Sequence, residues 1–296
     1  MTRSLTLVAV VAALMALSSA ARADDPTLAG PLRWDPAWSH AGPADYALTV
    51  FGAADVAVYV PLLQPRQPPL VWTRPILFDD DVRNWLRASS PAARANAGLA
   101  SWVLFGAVVA YPVLDVPYAW ARYGRKVAWD LFWQDATALS LATAFDLNLR
   151  DVIGRARPPE SACLTAGGST ITCLGTSSEA TRSFPGGHVL IVTTAATLTC
   201  TQHLTLHLYG GPWDAVACGT AIAADAAVGT LRIVSDDHWA SDILSGWALG
   251  VAFGWGIPVL MHLHGHSSDA TDPGLHLAPV AIPVSHGGGA GVTGWF

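Results

Sequence analysis

Three clusters of polar residues in the second half of the chain have types and spacings that could perform chemistry together. They read Arg150-x6-Arg157-Pro158, then Pro185-Gly186-Gly187-His188, then Arg232-x5-His238-x3-Asp242. Arginine guanidinium groups form paired, charge-assisted hydrogen bonds to phosphate oxygens. One histidine can attack phosphorus when a carboxylate orients its ring, and a second can protonate the leaving group. The clusters therefore predict a phosphoryl-transfer site that needs no metal ion.

The first cluster has the spacing of a helix end. Arg150 and Arg157 are seven residues apart, about two helical turns, so both are expected to point the same way from the C-terminal end of one helix. Pro158 is expected to break that helix directly after the second arginine. Arg155 is out of phase with this pair, and we interpret it as a solvated or structural charge.

The other two clusters predict a helix N-terminus and a paired histidine. Gly186 and Gly187 precede an apolar run, so they are expected at a helix start, where free amides and the helix dipole favour anions. Asp242 follows His238 by four residues, which brings a carboxylate within reach of the second imidazole nitrogen. The aspartates at 236–237 are interpreted as solvated loop charges.

At these residues the sequence resembles the type 2 phosphatidic acid phosphatase (PAP2) superfamily. That group includes class A acid phosphatases, membrane lipid phosphate phosphatases and vanadium haloperoxidases, and its signature is Lys-x6-Arg-Pro, Pro-Ser-Gly-His and Ser-Arg-x5-His-x3-Asp. The resemblance covers about Phe145 to Gly246. The chain departs from the signature at three positions, because Arg150 stands in place of lysine, and Gly186 and Leu231 each stand in place of serine.

The resemblance implies a role for the residues of the clusters. His238 would be the nucleophile that forms a phosphohistidine, Asp242 would fix the tautomer of its ring, and His188 would be the general acid. The phosphate group would be bound by Arg150, Arg157, Arg232, Gly186 and Gly187. Gly186 cannot supply the hydroxyl contact that the serine of relatives usually adds.

The favoured function is a metal-independent phosphatase that hydrolyses a phosphate monoester or diphosphate, either of a phosphorylated lipid or of a small-molecule ester. One alternative is a vanadate-dependent haloperoxidase with His238 as the axial ligand of vanadate, which would then be the one cofactor. A second alternative is a non-catalytic helical envelope protein that retains the motif as a relic. The net charge of −6 argues against nucleic acid as a partner.

No metal site is predicted from the remaining histidines and cysteines. No two cysteines lie two to four residues apart, as zinc sites require. His203 and His207 have a helical metal-binding spacing but no evident third ligand, so a surface position is expected for them.

Long apolar stretches predict an all-α domain at residues 46–264, and the resemblance implies that it is a bundle of about six core helices of the PAP2/haloperoxidase type. The apolar stretches that are too long for strands are Tyr46–Leu63, Ala97–Leu114, Val127–Leu147, Val189–Cys200, Ala215–Val234 and Ile243–His262. A proline-rich loop is predicted over Leu63–Asp81. An irregular leader is expected at 24–45 and an extended, irregular Gly/Pro/His-rich tail at 265–296.

The N-terminus and the cysteines indicate export. Residues 1–23 read as a signal peptide, with a short apolar run and small residues before Asp24. Cys163 and Cys173 form a plausible disulfide loop, as expected of an oxidising compartment. Cys200 and Cys218 flank a turn, and a disulfide between two helices or two buried free thiols are equally good interpretations. The predicted location is exported, periplasmic or envelope-associated.

The sequence leaves open whether the bundle crosses a membrane. Ala97–Leu114 and Ile243–His262 are apolar enough to span, but other stretches contain acidic residues, which are costly in a bilayer. Three spans after a cleaved signal peptide would also place the Cys163–Cys173 loop in the reducing cytoplasm. A non-spanning periplasmic bundle is therefore favoured, with a membrane surface or bilayer as the alternative setting.

Overall fold

A bundle of long helices makes up most of the structure, a computed structural model that describes residue 32 and residues 34–65, 69–263, 276–284 and 287–295. In chain order the helices are α1 (Pro43–Val58, continued by a π-helical turn at Tyr59–Leu63), α2 (Asp79–Leu86), α3 (Pro91–Tyr123), α4 (Arg125–Ile153), α5 (Pro158–Thr165), α6 (Thr170–Leu174), α7 (Gly187–Leu206), α8 (Trp213–Val234), α9 (Ala240–Gly254) and α10 (Gly256–Met261). The predicted all-α bundle is confirmed, since the six apolar stretches correspond to α1, α3, α4, α7, α8 and the α9–α10 pair.

Helix α7 lies at the centre of the bundle and packs against α3, α4, α8 and α9. Its sequence carries apolar residues and threonines on all sides, which is typical of a buried helix. Val189, Leu190 and Leu198 are fully buried, and each such side chain contributes about 1.5–3 kcal/mol by leaving water. This packing fixes the N-terminal turn of α7, which carries the second cluster of polar residues.

The end of α4 differs from the prediction. The helix ends at Ile153 because Gly154 adopts the left-handed conformation (φ 57°) that commonly terminates helices. Arg157 therefore precedes α5 and does not share a helix with Arg150. Pro158 begins α5, since proline fits the first turn of a helix, and it does not break α4. The prediction of one helix for both arginines was wrong.

Two disulfides tie helices together. Cys163 of α5 is bonded to Cys173 of α6, and Cys200 of α7 is bonded to Cys218 of α8. The described residues contain no free cysteine. For the second pair the structure thus has the disulfide between antiparallel helices and not two free thiols.

The outer surface of the bundle is strongly apolar. Five segments are long and apolar enough to cross a membrane, namely Pro43–Leu63, Pro91–Tyr123, Gly187–Leu206, Trp213–Val234 and Ala240–Met261. In the first of them only 6% of the apolar window is buried inside the bundle. Large side chains such as Phe51, Leu62, Trp102 and Trp120 are more than half exposed. Continuous apolar surface of this extent marks contact with lipid or protein, so the surface gives no support to a non-spanning bundle.

The described residues before α1 pack against the bundle, since Leu32, Trp34 and Trp38 contact the core around Leu131. The predicted signal peptide (1–23) lies outside the described residues, and residues 34–42 contain no helix or strand before α1. In the tail, β1 (His276–Val284) and β2 (Gly287–Trp295) pair antiparallel, with Ala281 opposite Ala290. The tail is extended as expected, but over these ranges it is a regular hairpin and not irregular.

Candidate active site

Most of the predicted site residues meet in one cavity of about 170 Å³ between α3, α4, α7 and the loops that follow α6 and α8. Five of the eight line it, namely Arg150, Arg157, Gly187, His188 and His238. Gly186, Arg232 and Asp242 are not among the described lining residues. A water molecule takes up about 30 Å³ of the liquid, so the cavity has room for a phosphate group.

His238 is held in one tautomer by the backbone. The residue is 3% exposed, and its Nδ1 lies 2.7 Å from the carbonyl oxygen of Ser183. Because a carbonyl only accepts, Nδ1 must carry the proton, and Nε2 of the neutral ring keeps a free lone pair. Burial lowers the pKa of His238 below its ordinary value, although Asp242 opposes the shift. The ring is therefore neutral, as a nucleophile must be.

Asp242 acts on His238 from a greater distance than predicted. Its Oδ2 lies 3.7 Å from Nδ1 of His238 and accepts hydrogen bonds from the Ser183 hydroxyl (2.6 Å) and the Trp239 amide (2.9 Å). Ser183 thus connects the pair, since its hydroxyl donates to the carboxylate while its carbonyl accepts from the imidazole. Ser183 could not be predicted as part of the site, because its contact with His238 is made by a backbone carbonyl, which every residue has.

A buried arginine holds the other oxygen of Asp242. Arg155 is fully buried and donates to Asp242 Oδ1 (2.5 Å) and to Asp79 Oδ2 (2.6 Å). Its guanidinium also lies 3.9 Å from the centre of the Trp72 ring. Asp79, at the start of α2, further accepts from the amide and hydroxyl of Ser241. Arg155 is therefore a structural charge, and the solvated interpretation was wrong.

The three predicted phosphate-binding arginines differ in their present partners. Arg157 donates to the carbonyl (2.8 Å) and carboxylate (3.1 Å) of Glu179. Arg232 is buried and pairs with the carboxylate of Asp237 at 2.9 Å. Arg150 forms no ion pair with any described residue, and its buried Nε has no hydrogen-bond partner among them. Arg157 and Arg232 are thus paired with carboxylates of the protein, whereas Arg150 has no such partner among the described residues.

The two acidic residues before His238 differ in exposure. Asp236 is 4% exposed and is bonded to Arg83 (2.6 Å) and Arg87 (2.7 Å). Asp237 pairs with Arg232, as above, but its side chain stays 32% exposed. The interpretation as a solvated loop charge was therefore wrong for Asp236, which two arginines at the end of α2 bury.

The N-terminal turn of α7 shows why Gly186 replaces the serine of relatives. Gly186 has a left-handed backbone (φ 79°), and a Cβ there would lie 2.9 Å from the carbonyl oxygen of Asp242. A side chain is excluded both by the conformation and by this contact. His188 follows in the first turn, with its ring 4.0 Å from that of Trp102. Its Nε2 has no partner in the described part of the chain, so it is free to meet a ligand.

One histidine outside the cavity contradicts its expected surface position. His203 is fully buried, with Nδ1 2.8 Å from Asp214 and Nε2 3.1 Å from Asp115. His207 is partly exposed and lies 3.8 Å from Asp214. The i,i+4 spacing therefore reflects a buried ion-pair network at the end of the bundle opposite to the cavity.

Comparisons with known proteins agree with the motif residues. A sequence model of the PAP2 superfamily matches residues 132–265, which contain all three clusters. Among solved structures, the chain is similar to the first transmembrane PAP2 type phosphatidylglycerolphosphate phosphatase from Bacillus subtilis, with 15% identity and a TM-score of 0.41 over 72% of this chain and 93% of that chain. No curated protein matches the sequence. The similarity to the PAP2 superfamily is thus located in the segment that carries the motifs.

Proposed function

We propose that this protein is a phosphatase that hydrolyses a phosphorylated lipid through a phosphohistidine on His238. The match of residues 132–265 to the PAP2 superfamily supports phosphatase activity in general. The observation that carries the finer proposal is the tautomer of His238, whose Nδ1–H is bonded to Ser183 while Nε2 belongs to a residue that lines the cavity. A free imidazole lone pair in a cavity with Arg150 and Arg157 has the properties of a nucleophile for phosphorus.

The reaction would proceed in two steps with balanced protons. His238 Nε2 attacks phosphorus, the bond to the leaving alcohol breaks, and His188 gives that oxygen its proton. Water then attacks the phosphohistidine, His188 takes one proton back, and inorganic phosphate leaves with His238 neutral again. Arg150, Arg157 and the first amides of α7 would stabilise the extra negative charge of each transition state.

A lipid is the favoured substrate because one wall of the cavity is apolar. Trp102 and Phe105 of α3, Leu147 of α4 and Ile191 of α7 line it together with the polar residues. Trp102 is 54% exposed on the outer surface of the bundle. A leaving alcohol with a hydrocarbon chain would thus extend between these side chains toward the apolar exterior, while its phosphate stays with the arginines.

We infer that the protein is an integral membrane protein with six crossings, namely the five apolar segments and helix α4. The loops that carry the clusters, residues 154–186 and 235–239, then lie at the same end of the bundle. The Cys163–Cys173 disulfide lies at that end as well. The Cys200–Cys218 disulfide joins two of the crossing helices and gives no information on the side, whereas Cys163–Cys173 lies outside the apolar segments. Because disulfides exposed outside the bilayer persist in oxidising compartments, the site is proposed to face away from the cytoplasm.

Phosphate release from a panel of esters tests the function. The panel contains a diacylglycerol phosphate, a polyprenyl diphosphate and p-nitrophenyl phosphate, each assayed with and without chelator. We expect the lipids to be preferred and the chelator to have no effect. His238→Gln should lose activity by several orders of magnitude, and the matched control His207→Gln should keep it. Activity of His238→Gln within about tenfold of wild type would contradict the nucleophile assignment.

Two further outcomes separate the alternatives. Quenching wild type with the favoured lipid in alkaline denaturant should trap an acid-labile phosphoprotein that His238→Gln lacks. Halide oxidation with added vanadate and peroxide, without phosphate release, would instead favour the haloperoxidase. Absence of both activities would favour a non-catalytic protein.

Labelling of introduced cysteines tests the topology. A membrane-impermeant maleimide should label Thr176→Cys, in the site-bearing loop, and not Lys126→Cys, at the other end of the bundle, in intact cells. If signal peptidase removes a leader, the mature chain begins outside the cytoplasm, and Lys126→Cys should then be labelled while Thr176→Cys is not. The experiment therefore also tests the predicted signal peptide.

A further inference from the structure

A carboxylate that the proposed mechanism does not use lies in the same cavity. Asp146 of α4 lines it together with Arg150, His188 and His238. The residue is 2% exposed, and its Oδ1 has no hydrogen-bond partner in the described part of the chain. An ionised carboxylate that is buried without a partner is unfavourable, and either a ligand or a proton relieves it. Asp146 is therefore poised to change its state when the cavity fills.

The carboxyl group of Asp146 also packs against the first turn of α7. A Cβ atom built on Gly187 would overlap Asp146 Oδ2, so only glycine permits this approach. The amides of Gly187 and His188, the first two residues of α7, have no acceptor within the helix, which makes this turn the place where an anion is expected. A bound phosphate and the carboxylate would thus be neighbours, and two adjacent negative groups do not both stay ionised without a proton between them.

We propose that Asp146 takes up one proton when a tetrahedral dianion enters the cavity and, as a neutral carboxylic acid, donates a hydrogen bond to one of its oxygens. The proton comes from solvent, and no covalent bond to phosphorus changes. The inference rests on the proposed function, since it requires that the cavity bind phosphate-like anions.

The charged groups around Asp146 set the strength of this coupling. They are Arg150 and Asp151 on α4, Arg157 between α4 and α5, Glu179 and Arg182 from the loop before α7, His188 on α7 and His238 after α8. The three arginines bring positive charge to the cavity, whereas Glu179 and Asp151 bring negative charge. The incoming dianion adds two further negative charges at close range, so it tips the balance toward the neutral acid.

Sulfate binding measures the proposed proton, because sulfate is a tetrahedral dianion that does not titrate near neutral pH. Calorimetry of the purified full chain in detergent, in buffers of different ionisation enthalpy, should find about one proton taken up per sulfate bound, with affinity falling up to about tenfold per pH unit in the alkaline range. In Asp146→Asn the side-chain amide can donate a hydrogen bond to sulfate without first binding a proton. Proton uptake should therefore disappear, and the affinity for sulfate should no longer depend on pH in the alkaline range. The control Asp225→Asn neutralises a buried carboxylate that is bonded to Thr193 outside the cavity, and it should keep the wild-type uptake.

Equal proton uptake in Asp146→Asn and wild type would overturn the proposal and point to the histidines. Uptake of no proton by wild type would also overturn it. If the asparagine variant does not fold, the infrared difference spectrum of wild type decides. A protonated-carboxyl C=O band should appear on sulfate binding, and its absence refutes the inference. Failure of the proposed function looks different, because sulfate would then not bind and no ester would be hydrolysed.

Discussion

Replacing Arg155 with methionine should both destabilise and inactivate the protein. Arg155 joins two carboxylates at 2.5 and 2.6 Å, and all three side chains are fully buried. Removing one partner of a buried ion pair costs about 3–5 kcal/mol, and here Asp79 and Asp242 lose the same partner. A typical domain has a total stability of about 5–15 kcal/mol, so we expect a large fall in the unfolding midpoint.

The effect on turnover follows from the position of Asp242. Without Arg155 this carboxylate must take a proton or move, and Ser183 then loses the acceptor of its hydroxyl. His238 would keep its hydrogen bond to the Ser183 carbonyl. It would lose the nearby charge of Asp242, and Ser183 would no longer be held in a fixed position. A charge-assisted hydrogen bond is worth about 1.5–3 kcal/mol, which corresponds to roughly a ten- to hundredfold fall in kcat.

Thermal unfolding in detergent and ester hydrolysis below the variant's midpoint measure the two effects. Arg155→Lys should be intermediate, because a point charge cannot bridge both carboxylates. Adding Asp79→Asn to Arg155→Met removes one stranded charge and should recover about 1–3 kcal/mol. Arg122→Met, at an exposed position of α3, is the control and should change neither quantity. Unfolding of Arg155→Met within about 1 kcal/mol of wild type, or no recovery in the double variant, would refute this reasoning.

Four further predictions concern the cavity. Because burial lowers the pKa of His238, a pH–rate profile should show kcat falling only below the ordinary histidine pKa of about 6.5. Asp242→Asn removes the charge that opposes this shift, so the fall of kcat should begin at a still lower pH. Arg150→Ala should lower kcat/KM about ten- to hundredfold, while Arg150→Lys should keep part of the activity. If steady-state kinetics show the same kcat/KM for the alanine variant and wild type, Arg150 does not bind the phosphate group. Gly186→Ser restores the residue of relatives but should cost about 1–3 kcal/mol at its left-handed backbone, seen as a lower melting temperature and lower activity. Glu179→Gln frees Arg157 from a partly exposed pair worth about 1 kcal/mol or less, so KM should fall up to about fivefold with little change in kcat.

The sequence predicted the helices of the bundle better than the contacts within the site. The long apolar stretches and the glycine-rich helix start have strong local signals, and each corresponds to a described helix. The bend at Gly154 was missed because the spacing of Arg150 and Arg157 also fits an uninterrupted helix. The buried positions of Arg155 and His203 could not be predicted, because their partners Asp79 and Asp115 are 76 and 88 residues away. Long-range ion pairs of this kind depend on tertiary packing and leave no periodic pattern.

In the proposed mechanism, the charges around the cavity favour the transition state over the bound substrate. Arg157, which lines the cavity, already bonds Glu179, so an arriving phosphate would exchange one anion for another at this position and gain little. Only Arg150, which has no ion pair among the described residues, is available to the ground state at once. In that mechanism, charge would build on the phosphoryl oxygens as His238 attacks, and Arg157 could then move its hydrogen bonds from the carboxylate to the phosphate. Interactions that strengthen along the reaction raise kcat, whereas those already complete on binding only lower KM. The internal carboxylates therefore keep the arginines positioned without making the enzyme hold its substrate or its product phosphate too tightly.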